Sequence, residues 1–191
     1  DKNQLQTSLF PLLILLVFGK IEHWMTLPPE VASVTTRLEF PFSAEQVFDE
    51  VKAMDTLDAE KPLLLQVGLP TPYKCVLEAD SVGAKRICVF PDGRIVSQLT
   101  EFDRPNSFKM NVLEYSLTGL RWFRFESASY ALTQKGDTTQ LSRTTSYSST
   151  LKPRLYWQPL EIWAIEQEHR FVLESVKKNL MKQKTTRPAH N

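Results

Sequence analysis

Six stretches of strand-forming residues follow one another between Tyr73 and Leu151, with no intervening segment long enough to hold a helix. They run roughly Tyr73 to Ala79, Ala84 to Phe90, Arg94 to Phe102, Ser107 to Leu117, Arg121 to Gln134 and Thr139 to Leu151. Turn residues separate them: Gly83, Asp92-Gly93, Pro105-Asn106, Gly119 and Gly136-Asp137. Strands joined by links this short pair antiparallel. A meander of that length curls, and its apolar concave face needs a cover. Downstream, only one element is long enough to supply it. Ile162, Ile165, His169, Val172, Val176 and Leu180 recur at spacings of three and four, which predicts a helix from about Pro159 to Met181. Its far side carries Glu166, Arg170, Glu174 and Lys178, alternating in sign as a solvated face does.

The elements before the meander are also readable. "VASVTTRLEF", Val31 to Phe40, is rich in β-branched residues and predicts a strand. "PFSAEQVFDEVKAMDTL" then predicts a helix, with Ser43 as N-cap, Gln46 at the capping-box position and Val47, Phe48 and Val51 as its apolar stripe. "KPLLLQVGL" reads as a second short helix or a turn, ended by Gly68 and Pro70. The order is strand, short helices, six strands, long helix, an α+β arrangement.

Composition excludes several functions. The chain has 191 residues and a formal net charge of +1; without a concentrated basic surface, nucleic acid is not expected as a partner. There is no C-x-x-C pair, no H-E-x-x-H and no phosphate-binding glycine loop. Glu166-x-x-His169 lacks the companion carboxylates and the second Glu-x-x-His of a di-iron bundle, so neither metal nor cofactor is expected.

Near the N-terminus, Leu9 to Phe18 is a run of ten apolar or proline residues. As a helix it covers about 15 Å, half the hydrocarbon thickness of a bilayer. Two readings stay open: the end of a transmembrane helix that begins upstream, with Trp24 at the interface, or a helix packed on its own domain or on a second copy in a homodimer. The expected organisation is an apolar N-terminal helix over 1–25, a linker over 26–30, a domain over 31–182 and a disordered tail over 183–191 that holds His190.

This layout resembles the helix-grip fold of the polyketide cyclase and lipid-transfer (START-like, SRPBCC) superfamily. "SVGAKRICVFPDGRIVSQLTEFDRPNSFKMNV" is similar to the G-x-x-R-x-C-x-F…G…W/F-D-x-P segment of bacterial members, some of which carry the domain behind transmembrane helices. "RTTSY" (Arg143 to Tyr147), "PRLYW" (Pro153 to Trp157) and "HRFVLESV" (His169 to Val176) resemble later blocks of the same group, and the resemblance covers roughly Val31 to Lys182. Where members of the group often have an acidic residue, this chain has Ser97. The resemblance implies a curved antiparallel sheet of about seven strands wrapped around the long C-terminal helix. It also implies a bacterial protein, membrane-associated or cytoplasmic.

A helix-grip domain can hold an apolar cavity between sheet and helix, and the resemblance implies which residues line it. On the strand after Gly83, Arg86 shares a side with Cys88 and Phe90. Arg86 either orients a ligand's head, or pairs with a carboxylate or reaches solvent from a strand end; a buried arginine without partners is too costly. In the last strand, Arg143, Thr145, Tyr147 and Ser149 alternate away from Ser142, Thr144, Ser146 and Ser148. His169, in the helix stripe, is a satisfied core histidine or a ligand contact. Tyr156, Trp157 and Trp163 flank the start of the helix as rim packing or as an aromatic wall.

Three functions fit this layout: a binding domain for a hydrophobic small molecule held beside a membrane, a cyclase or hydratase in which His169, Tyr147 and Arg86 polarise a substrate, or an interaction domain with a filled interior. A hairpin centred on Ser81-Val82 sets Cys75 opposite Cys88. With nothing else pointing to an oxidising compartment, two reduced thiols are expected.

Overall fold

The structure, a computed structural model, describes residues 2–24, 31–66, 70–117 and 122–186. Gly68, Gly119, the 26–30 linker and His190 lie outside them. An N-terminal helix α1 (Lys2–Trp24) precedes strand β1 (Val31–Phe40) and the short helices α2 (Ala44–Lys52) and α3 (Leu63–Gln66). The meander follows as β2 (Lys74–Leu77), β3 (Lys85–Phe90), β4 (Gly93–Asp103), β5 (Ser107–Tyr115), β6 (Phe123–Lys135) and β7 (Thr138–Ser149), and α4 (Arg154–Thr186) closes the chain.

The seven strands form one antiparallel sheet in the order β1-β7-β6-β5-β4-β3-β2. The meander leaves β7 as an edge, and β1 pairs there, from Val31 opposite Ser148 to Phe40 opposite Thr139. Register shifts at Val96/Ser97 and Leu99/Glu101 in the β4–β5 pair and at Phe125/Ser127 in the β6–β7 pair bend the sheet around α4. This is the α+β helix-grip architecture the order of elements predicts.

The inner face of α4 supplies the cover. Ile165, His169, Val172, Val176 and Leu180 are buried as the stripe requires, and Phe171 and Leu173 extend the contact. Phe171, Val172, Leu173, Val176 and Leu180 share the main core with Phe40, Phe48, Leu99, Phe108 and Tyr130, and Ile165 joins Val34, Phe123 and Tyr147 in a second cluster. Each such side chain contributes about 1.5–3 kcal/mol by leaving water. On β7 the outward residues are hydroxylic and pair with β1: Ser146 with Ser33 at 2.9 Å and Thr144 with Thr35 at 2.8 Å.

α4 begins at Arg154, five residues before the expected Pro159. Pro159 lacks an N–H, so only the bond to the carbonyl four residues back is lost. That carbonyl belongs to Leu155, which is 92% exposed, so the loss falls where solvent can offset it. The first turn is held from outside: the Glu22 carboxylate of α1 accepts the Arg154 N–H at 2.8 Å, and Lys152 Nζ donates to the Glu22 carbonyl at 2.8 Å. α1 is thereby joined to the domain at the entry to α4. Among the described residues no helix is long and apolar enough to cross a membrane.

The expectation of reduced thiols is corrected: Cys75 and Cys88 form a disulfide. The two residues are directly opposite in the β2–β3 register, as the hairpin arithmetic places them. Cys75 N–H donates to Met54 O at 2.8 Å instead of to Cys88, which marks a non-hydrogen-bonded pair, the closer kind in an antiparallel ladder. Their Cα atoms are 4.1 Å apart, so register alone brings the sulfurs together, whatever the rest of the chain says of its compartment.

Candidate functional site

Bulges re-aim side chains, and three residues beside the register shifts face inward. Ser97, Phe125 and Ser127 line a cavity of about 70 Å³ between the sheet and α4. β3 adds Arg86, Cys88 and Phe90, β7 adds Arg143 and Thr145, β6 adds Tyr130, and α4 adds Glu168 and Val172. A second cavity of about 60 Å³, walled by Leu65, Trp122, Phe123 and Ile165, shares Phe125 and Glu168 with the first.

Arg86 is 4% exposed and faces this cavity, yet its donors are spent elsewhere. Nε donates to Lys52 O at 3.0 Å and Nη2 to Val51 O at 3.1 Å. These carbonyls end α2, where the helix has no internal donors left and carries partial negative charge. Arg86 is therefore the cap of α2, supplied from across the domain. Its pKa is lowered: burial is the main cause, the Arg143 charge adds to it, and Tyr130 and Glu168 act in the opposite direction. A guanidinium stays protonated regardless.

Arg143 is held differently. Nη2 lies 3.1 Å from Glu168 Oε1 and 2.9 Å from Oε2, while Nε and Nη1 are buried with no partner. Burial works against its charge, but Glu168 and Tyr130 outweigh that and raise its pKa. The Tyr130 ring lies under both guanidinium groups, with each Cζ 5.7 Å from its centroid.

His169 is fully buried one layer behind Thr145. Its Nε2 meets Thr145 Oγ1 at 2.8 Å and its Nδ1 meets Thr36 Oγ1 at 3.0 Å. Either tautomer of a neutral ring satisfies both contacts, since a hydroxyl both donates and accepts. Burial, reinforced by the Arg143 charge, pushes its pKa down to about 2. The histidine thus ties α4 to β7 and β1.

Five of the ten residues nominated from sequence meet at the cavity: Arg86, Cys88, Phe90, Arg143 and Thr145. Tyr147 is buried in a separate cluster, stacked on Phe123 with centroids 5.1 Å apart, so Arg86, Tyr147 and His169 do not converge. Tyr156 and Trp157 pack edge to face at the start of α4, and Trp163 borders a surface groove with Leu155 and Ile162. Tyr130 and Glu168 were missed. Glu168 carried a signal, because it lies three residues after Ile165 and four before Val172 and so interrupts the apolar stripe with a carboxylate. Among the described residues no cluster of three His, Cys, Asp or Glu side chains is arranged to hold a metal.

No known family's sequence profile matches the chain, and no curated protein does. Solved structures do resemble it in fold. Protein XoxI from Bacillus cereus matches with a TM-score of 0.54 at 14% identity, over 80% of this chain and 98% of that one. A point mutant of norcoclaurine synthase from Thalictrum flavum, solved with a transition-state analogue, matches with a TM-score of 0.50 at 15% identity, over 83% and 99%. An uncharacterised protein from Bacillus thuringiensis matches with a TM-score of 0.50 at 13% identity, over 78% and 99%. These are SRPBCC-type folds with a curled antiparallel sheet, and at such identities they establish the fold alone.

Proposed function

We propose that this chain binds a small hydrophobic molecule in the cavity between the curled sheet and α4. The observation that carries the reading is the wall itself. Apolar side chains enclose a space bordered by a buried guanidinium with two unfilled N–H groups, and ligand sites commonly combine apolar lining with a few placed polar groups. The size is informative too. At 10–15 Å³ per water, the first cavity holds about five to seven waters, so a lipid- or polyketide-sized ligand requires α4 to shift outward or its tail to enter the second cavity. The synthase that shares the fold was solved with a bound small molecule, which is compatible with this use of the architecture.

A cyclase- or hydratase-type activity is the alternative. Glu168 and Tyr130, not His169, would be its proton-moving candidates, because they border the cavity. The proposal extends to a membrane surface as the place of binding, since α1 exposes Leu13, Leu16, Phe18 and Trp24.

The test is mass spectrometry of an organic extract from the full chain purified without detergent, together with titration of a fluorescent hydrophobic probe. A stoichiometric apolar compound, or saturable one-site probe binding, supports the proposal. A clean extract with no probe binding refutes it. For the membrane part, co-flotation with phospholipid vesicles is expected for the native chain and not for the Leu13→Glu/Leu16→Glu variant.

A further inference from the structure

From the charges and unfilled donors around the first cavity, we infer that its ligand is an apolar molecule ending in a carboxylate, with Arg143 as the anchor for that group. This rests on the cavity-binding reading above and narrows it to a chemical class.

Two guanidinium groups, Arg86 and Arg143, line the cavity against one carboxylate, Glu168. The α2 carbonyls that Arg86 caps are dipoles, so the wall keeps a formal excess of one positive charge. Glu168 is already committed to Arg143 Nη2. A buried charge without a counter-ion is costly, and a bound carboxylate cancels it.

Donor count points the same way. Arg143 Nε and Nη1 are buried without a hydrogen bond, and so is Glu168 Oε2, so the wall holds two unfilled donor atoms against one unfilled acceptor, and buried N–H groups are almost always satisfied. The Ser97 and Ser127 hydroxyls on the same wall add further donors. Two groups with unfilled N–H bonds demand an acceptor, and a charged acceptor makes the stronger bond. Much of the rest of the wall, including Phe90, Ile95, Val112 and Val172, is apolar and suits hydrocarbon, and the Thr145 hydroxyl there is already bonded to His169. A chain leaving the carboxylate past Phe125 enters the second cavity, between Trp122, Phe123 and Ile165.

Ser97 provides the control. It stands directly opposite Arg86 in the β3–β4 register, so Ser97→Asp places a carboxylate inside the wall and cancels the excess charge without touching Arg143. The Arg143→Gln/Glu168→Gln double variant removes the anchor and its partner together, so neither is left without the other, and it keeps the excess charge on Arg86, whose Nε and Nη2 are spent on the α2 carbonyls.

The experiment titrates the full chain with octanoate, 1-octanol and octylamine by calorimetry. Octanoate is expected to bind at least about ten-fold more tightly than 1-octanol, the factor that one charge-assisted hydrogen bond supplies, with octylamine weakest. In either variant, the preference is expected to fall to about two-fold or less, with the folded state verified by circular dichroism; if one variant does not fold, the other decides. Equal binding of acid and alcohol overturns this inference and leaves the cavity reading standing. A preference that survives in a folded variant also overturns it, because the anion is then held elsewhere. No binding of any of the three refutes both.

Discussion

Acidification puts a measurable load on the joint between α4 and the sheet. His169 sits at that joint with its pKa pushed down from 6.5 to about 2, chiefly by burial. Below the unfolded pKa of about 6.5, the unfolded chain takes up a proton that the folded chain refuses. The neutral histidine therefore contributes its full stability above that pH, and the contribution is lost progressively as pH falls towards the folded value. Summed over the titration, the loss is about 0.1 kcal/mol at about pH 7.5 and about 2 kcal/mol at about pH 5. For a domain of this size that is a fall of roughly 4–8 °C in Tm.

The assay is urea denaturation at a series of pH values for the native chain and for His169→Gln. Glutamine keeps a donor and an acceptor for Thr145 and Thr36 but does not titrate. The variant is expected to be less stable at about pH 7.5, by about 1–3 kcal/mol for imperfect replacement of two buried contacts. Its curve should approach the native one by about 2 kcal/mol on going to about pH 5. Every other titrating group is common to both chains and cancels in the difference. Parallel curves, separated by the same amount at every pH, would refute the reasoning.

Arg86→Met leaves the Val51 and Lys52 carbonyls without their donors inside the core, and a loss of about 2–4 kcal/mol is expected in chemical denaturation. Reducing Cys75–Cys88 opens a loop of sequence separation 13, and in the chain-entropy account this lowers stability by about 3 kcal/mol, readable as a Tm shift between oxidised and dithiothreitol-treated protein. Gly93→Ala is expected to be strongly destabilising, because a Cβ there collides with the Ser116 carbonyl across the β4–β5 hairpin; native-like stability of that variant would show that the hairpin can move apart.

The parts of this structure that were legible in advance are those written in local periodicity. Alternation and turn residues placed the meander, a capping box placed α2, and threes and fours placed the inner face of α4. The cavity side of β3 was legible for the same reason, since alternation puts Arg86, Cys88 and Phe90 together whatever surrounds them. What surrounds Arg86 was not legible. Its partners are backbone carbonyls of α2, 34 and 35 residues away in sequence, and a carbonyl belongs to every residue type and leaves no mark. Tyr130 went unnoticed because one aromatic among many inward residues of β6 reads as core until two arginines are seen above it. The disulfide follows from the register alone, which local alternation sets, whereas composition carries no trace of it.

The pairing of β1 with β7 also fixes an order of events during synthesis. Its shortest link, Phe40 to Thr139, spans 99 residues (139 − 40), and the others span more. At about 5–20 residues per second, β1 leaves the ribosome roughly 5–20 s before the strand it needs exists. During that interval Val34 and Phe40, both buried in the finished domain, have no β7 to pack beside. The strand made first is thus completed last, and a permuted chain that carries residues 31–40 after β7 would close the same sheet without the wait.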